Sequence, residues 1–267
     1  MEMRETSMED EDRVVEVEVT RRVMTVTLCD VDNRNALGGA LVEGLRTAIR
    51  EANDDDGIRA IVVTNEGSTF CAGANLKQRS AAKGEQKGAG GFTEVLHEIQ
   101  VSPTPIIGRI DGHVVGGGNG LAAALDISIA REDVEFGFTE VRLGVIPAII
   151  SVVCLPKMRR GEALEVFLRG NRFSASRAAE LGLINRAVPA ERLDQAVEEV
   201  LDDLRKGGPN ALGLAKSLVY EVPKLGPSDA FEWTAALSNR LFAGDEAKEG
   251  MKAFLEKRGP SWTETSD

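Results

Sequence analysis

An α/β fold with parallel strand pairing and a helical C-terminal region is the architecture the sequence predicts. Three observations carry this. Strand-period and helix-period segments alternate through the first part of the chain, an apolar hairpin pattern opens it, and from about Glu191 only helix-period segments follow. The leader "MEMRETSMEDED", residues 1–12, is acidic with no apolar h-region, so export is not expected and the segment reads as disordered. "VVEVEVT" and "VMTVTLC" alternate apolar and polar residues around Arg21-Arg22, predicting an antiparallel hairpin with one solvated face.

"GGALVEGLRTAIREA" places Leu41, Leu45, Ala48, Ile49 and Ala52 on one face of a helix. "IRAIVVT" is a β-branched strand, "FTEVLHEIQ" a helix, "PIIGRIDGHVV" a strand, "GLAAAL" a helix and "DISIA" a strand. Beyond them "ERLDQAVEEVLDDLRK", "NALGLAKSLVYEV", "SDAFEWTAALSNRLF" and "DEAKEGMKAFLEKR" are helix-patterned and separated by Gly-Pro turns. In that last third Trp233, Leu237 and Leu241 are expected to be buried or at an interface. The organisation is therefore a leader (1–12), an α/β core (13–206) and a helical C-terminal region (207–267).

Composition narrows the function. The 267 residues carry a net charge of −11, which opposes a nucleic-acid surface and requires local cations for any anionic partner. No apolar run is long enough to span a bilayer. The three cysteines, Cys29, Cys71 and Cys154, are odd in number and lack metal-ligand spacing, which points to free thiols in a reducing cytoplasm.

Two glycine-rich stretches stand out: "FCAGANLKQ" and "DGHVVGGGNGLAAAL", each between a strand and a helix. Neither a P-loop nor a complete dinucleotide-binding fingerprint is present. One reading is that the glycines permit tight turns and close helix–strand packing. The other is an oxyanion site, in which the two stretches each lend one N–H to the same carbonyl oxygen and the helix N-terminus adds positive potential.

Together with "NRNAL", "FTEVRLGVIP" and "EAKEGMKAFLEKR", these blocks resemble the crotonase family, the enoyl-CoA hydratase/isomerase superfamily, over nearly the whole chain. The resemblance implies a crotonase-like spiral of ββα units with a helical C-terminal trimerisation region, assembled as a homotrimer or dimer of trimers. It also implies an acyl-CoA thioester as substrate, with coenzyme A arriving as part of it, no permanently bound cofactor and no metal; the acidic balance and the lack of a long apolar run argue against nucleic acid and membrane as partners. By the match to "AGA" and "GGG", Ala74 and Gly117 would donate the two N–H groups to the thioester oxygen.

Other matched positions extend this expectation. Ala36, Ala72 and Leu76 would wall the coenzyme, Arg34 and Lys77 would meet its phosphates, and Phe254 and Lys257 would contact it from a neighbouring subunit. For Phe254, core packing of an amphipathic helix is an equal reading. Gly116, Asn119, Gly120 and Pro147 are assigned to the substrate pocket.

Glu140 matches the second of the two glutamates that hydratases of this family place around the reacting carbons. Where the first should stand, two positions after the triplet, this chain has Gly120. Asn119 beside it is no base; it would orient a water or cap the helix. "AGAN" also puts Asn75 where an aspartate is common. The reading is hydration of a 2-enoyl-CoA. The alternatives are a double-bond isomerase using Glu140 alone, another crotonase reaction such as hydrolysis or decarboxylation, and a binding-only relative.

Overall fold

The computed structural model describes residues 13–75 and 88–263. The leader, and with it the expectation of disorder there, lies outside the described residues.

Strands β1 (Val15–Thr20) and β2 (Val23–Leu28) form the expected antiparallel hairpin. Arg21 and Arg22 both have positive φ, 50° and 64°, the left-handed pair that a two-residue hairpin turn requires. β1 is more exposed than a half-solvated strand: Val17 and Val19 are 46% and 53% exposed, because β1 is the sheet's edge. Helix α1 (Gly39–Asp54) buries all five apolar residues its period selects.

The following segments repeat one pattern. β3 (Ala60–Asn65), β4 (Thr69–Cys71) and α2 (Gly88–Val101) make one turn. β5 (Ile106–Ile110), β6 (His113–Val115) and α3 (Gly117–Ala124) make the next. β7 (Ile127–Arg131), β8 (Glu135–Gly137) and α4 (Ala148–Cys154) make a third. In each turn the first strand joins a six-stranded sheet, β1-β2-β3-β5-β7-β10, and the second a four-stranded sheet, β4-β6-β8-β9. This is a spiral of ββα units, closed by α5 (Arg160–Arg169), β9 (Arg172–Ser174), α6 (Ala175–Glu180) and β10 (Arg186–Val188).

The single strand expected over "PIIGRIDGHVV" is in fact two, one in each sheet. The chain turns between sheets at Asp111-Gly112. The Asp111 carboxylate accepts from Arg109 at 2.8 Å and Arg131 at 2.9 Å, and its N–H donates to Asn65 Oδ1 at 3.1 Å. A strand-period pattern does not register such a corner, because apolar residues continue on both sides of it.

Every residue of β3 is buried, which a strand covered on both faces requires. One face meets α1, α2 and α3; the other meets Leu193, Ala196, Val197, Val200 and Leu201 of α7 (Leu193–Lys206). α7 thus covers the sheet, and the peripheral helices are α8 (Pro209–Glu221), α9 (Pro227–Ala243) and α10 (Asp245–Glu256). In them Leu237 is buried and Trp233 and Leu241 are partly so. Among the described residues no helix is long and apolar enough to cross a membrane.

α8 is fastened by an ion pair. Lys216 Nζ meets Asp126 Oδ2 at 2.8 Å and donates to Ile99 O at 2.6 Å, while Ile106 N donates to the same carboxylate at 2.8 Å. Burial pushes the Asp126 carboxyl up and the Lys216 ammonium down, so desolvation works against both charges and the pair rests on its geometry. Lys216→Met is expected to cost about 3–5 kcal/mol in chemical denaturation by stranding a buried carboxylate. Adding Asp126→Asn to that variant should recover most of the loss. Equal losses in the single and double variants would mean that packing, not charge, fastens this helix.

Candidate active site

Three backbone segments meet at the glycine-rich stretches. The first is the "NRNAL" block, where Arg34 and Asn35 both take left-handed φ, 55° and 50°. Asn35 is fully buried, and its amide donates to Thr69 O at 2.8 Å and Glu66 O at 3.2 Å. This turn lays the block alongside the second segment: Ala72 N donates to Arg34 O at 3.1 Å and Leu37 N to Gly73 O at 2.7 Å. A parallel bridge between Leu37 and Ala74 completes the pairing.

The third segment is the start of α3. Gly73 has φ +81°, and a Cβ built there would lie 2.6 Å from Gly117 N and 2.9 Å from Val115 O. Such distances admit no side chain. A Cβ on Gly117 would stand 3.3 Å from Gly73 Cα and 3.7 Å from Ala74 N, so the backbones of the two glycine-rich stretches touch. Among the described residues neither the Ala74 N–H nor the Gly117 N–H has an acceptor. Gly117 opens its helix, where the first N–H groups lack intrahelical partners and carry the positive end of the dipole. Two such donors can serve one anionic oxygen.

Glu140 stands next to them. It begins a 3-10 turn (Glu140–Leu143) two residues after Phe138, whose ring packs on Phe167 at 4.6 Å between centroids. Its Oε1 is 3.5 Å from where a Cβ on Gly116 would be, which sets the carboxylate beside the peptide that bears the Gly117 N–H. Glu140 is half-buried, and its Oε2 is fully buried with no hydrogen-bond partner among the described residues. Burial pushes the carboxyl above the ordinary 4.5, with only its own backbone N–H pulling the other way. A desolvated carboxyl with an unengaged oxygen is the chemistry of a general acid–base.

The remaining expected residues divide. Gly116 takes φ +55° at the turn into α3, and Ala36 and Ala72 line the same backbone junction. Asn119 is fully buried, and its side-chain amide donates to Gly116 O at 3.0 Å and Gly137 O at 2.9 Å. Pro147 is buried as the N-cap of α4. Arg34 is exposed. Phe254 is 82% exposed on α10, which removes the core-packing reading, and Lys257, also exposed, closes that helix in a left-handed conformation. Leu76 and Lys77 lie outside the described residues.

Sequence patterns missed the contact between Ile150 and Gly120. A Cβ on Gly120 would come within 2.1 Å of Ile150 Cγ2 and 2.6 Å of its Cβ. The space that a side chain at position 120 would enter is filled by an isoleucine of α4. Nothing in a linear pattern pairs residues thirty apart in this way. Burial pushes the Cys71 thiol up to about 12 and raises Cys154 as well, which disfavours the thiolate at both.

The fold is that of the crotonases: the chain matches the family model "Enoyl-CoA hydratase/isomerase" over residues 18–265 and belongs to that family. A Thermus thermophilus protein provisionally named an enoyl-CoA hydratase is 31% identical over 243 residues, 89% of this chain and 96% of that one. The carnitinyl-CoA dehydratase of Proteus mirabilis is 30% identical over 254 residues, 91% of this chain and 96% of that one. A crystal structure of an enoyl-CoA hydratase from Mycobacterium smegmatis superposes with a TM-score of 0.89 at 29% identity, covering 95% of this chain and all of that one.

Because the folded state holds the Glu140 proton more tightly than the unfolded chain, ionising Glu140 opposes folding as pH rises through its raised pKa. Glu140→Gln should therefore raise Tm at neutral pH, and the gain should vanish as the pH falls to 4.5 and below, measured by thermal melts across pH. A variant that melts lower at neutral pH would contradict the desolvated carboxylate.

Proposed function

We propose that the chain acts on an acyl-CoA thioester, holds the developing enolate oxygen with the N–H groups of Ala74 and Gly117, and moves protons with Glu140 alone. The best-supported reaction is a double-bond shift in a 3-enoyl-CoA. Glu140 takes a proton from C2, and the electron pair passes onto the thioester oxygen. The enolate carbanion is conjugated with the C3–C4 double bond, so returning the same proton to C4 leaves the double bond between C2 and C3. One base suffices, and no water is consumed. Each N–H donor to such an oxyanion is worth roughly a hundred- to a thousand-fold in rate.

The observation that carries this reading is Ile150 packed on Gly120. Hydration needs a water held for attack, and an ordered water takes about two to four polar partners. At position 120 the chain offers methyl groups instead of a second carboxylate, leaving Glu140 as the acid–base. Hydration of a 2-enoyl-CoA remains the second reading, favoured by the names of relatives such as the Thermus protein. In this reading Arg34 and Lys77 meet the coenzyme's phosphates, and Phe254 and Lys257 reach it from a neighbouring copy in a trimer. The 82% exposure of Phe254 supports such a partner-facing role.

The test is incubation with a 3-enoyl-CoA and with crotonyl-CoA in deuterated water, reading double-bond position and mass. A shifted double bond without a gain of water supports the proposal, and a 3-hydroxyacyl product replaces it with hydration. Glu140→Gln should lower either activity at least a hundredfold, the scale of general acid–base catalysis.

Restoring the second carboxylate should need two changes. Gly120→Glu alone is expected to destabilise the protein by about 1–3 kcal/mol through overpacking against Ile150. Gly120→Glu with Ile150→Ala should fold near wild-type stability and gain hydration of crotonyl-CoA relative to isomerisation. If Gly120→Glu alone is as stable as wild type, Ile150 does not exclude the side chain.

A further inference from the structure

The buried amide of Asn119 lies behind the N–H that Gly117 presents. Its Nδ2 donates to Gly116 O at 3.0 Å and to Gly137 O at 2.9 Å. The Asn119 backbone N–H also donates to Gly116 O, at 2.9 Å, and Gly116 N donates to Gly137 O at 2.9 Å. One residue thus grips the Gly116 carbonyl twice, and its side chain ties that carbonyl to the end of β8, just ahead of Glu140.

The covalent geometry gives this grip a consequence. Gly116 O and the Gly117 N–H belong to the same planar trans peptide, so they point in opposite directions. Whatever fixes the carbonyl on the inner side fixes the direction of the N–H on the outer side. Gly116 itself supplies no stiffness, since a glycine at φ +55° has little steric reason to stay there. Hydrogen bonds to a peptide carbonyl also polarise the peptide and strengthen its N–H as a donor.

We infer that Asn119 is a positioning residue for the reaction: through the Gly116–Gly117 peptide it aims and strengthens the Gly117 N–H toward the thioester oxygen. This rests on the proposed oxyanion role of that N–H and is independent of whether the reaction is isomerisation or hydration. Asn119 does not touch substrate in this account. It acts through the peptide it holds, where an ordinary helix cap would contribute stability alone. Its Oδ1, buried without a partner among the described residues, shows that the amide is oriented by its donors.

The variants are Asn119→Asp, which keeps the shape but replaces the donor with an acceptor, and Asn119→Ser, which keeps a short donor. The probe is butyryl-CoA labelled with 13C at the thioester carbonyl, and the readout is the carbonyl stretching frequency in the bound complex. Wild type should lower that frequency, Asn119→Asp should abolish most of the shift, and Asn119→Ser should retain part of it. In turnover, kcat should fall roughly ten- to a hundredfold in Asn119→Asp with KM within about twofold, below the loss of a whole oxyanion donor. A full shift in Asn119→Asp with only its melting temperature lowered would reduce Asn119 to a helix cap and overturn the inference. No shift in wild type would instead remove the oxyanion reading of Gly117, and this inference with it. If Asn119→Asp does not fold, Asn119→Ser decides: a shift and kcat equal to wild type overturn the inference.

Discussion

The contact between two stretches of bare backbone, at Gly73 and Gly117, is the constraint on which the rest depends. A side chain at Gly73 would stand 2.6 Å from Gly117 N, so the approach exists only without one. The ββα spiral brings the two stretches together, because successive turns place β4 and β6 side by side in the smaller sheet. The two strands are parallel, with a register shift between Thr69 and Cys71, so the polypeptide leaves both at the same end. Asn35 on one side and Asn119 on the other fix the flanking turns with buried amides. Two donors converging on one oxygen, as proposed for Ala74 and Gly117, would need no reorganisation when charge develops between them, which is the physical basis of oxyanion stabilisation.

The peripheral helices are held by polar contacts more than by a core of their own. Glu246 on α10 accepts from Asn210 N and Ala211 N at the start of α8, and the Asp126–Lys216 pair ties α8 to the sheet. Buried Arg59 reaches Gly207 O and Trp262 O, while Trp262 Nε1 donates to Lys206 O. Little apolar surface is buried in these helices: Leu237 and Ala253 are inside, while Phe231, Phe242, Phe254 and Leu255 are more than 60% exposed. Polar anchors help define where α8–α10 sit, and several of their large apolar residues remain outward.

The order of elements was legible in the sequence because period and burial agree. α1 shows five expected core positions and buries all of them. The Arg21-Arg22 hairpin followed from alternation alone. What the pattern could not register were places where non-neighbours in sequence share volume. The Asp111-Gly112 corner is invisible because apolar residues continue through it, and the Ile150–Gly120 contact joins two helices from different turns. In the site, the two glycine-rich stretches stood out from the residues themselves, whereas Glu140 was found through family resemblance. Without it Glu140 reads as an exposed turn residue. Its buried, unpartnered Oε2 is a tertiary property that no local window contains. Asn119 was legible as a residue of interest, but its two carbonyl partners were not, since one of them lies on β8.

Glycine at 120 is built into the packing and is not simply a missing carboxylate. A lost side chain would leave a void, and a void at a helix–helix contact is costly. Here the volume is taken by Ile150, itself 3% exposed, and α3 and α4 close on each other through that contact. A second carboxylate at position 120 would have raised the Glu140 pKa by charge repulsion, whereas in this chain burial is the cause of the rise. For Glu140 the largest cause of the raised pKa is desolvation by burial, and no second carboxylate contributes to it. A lone carboxyl in that setting is suited to passing one proton between two carbons of the same substrate.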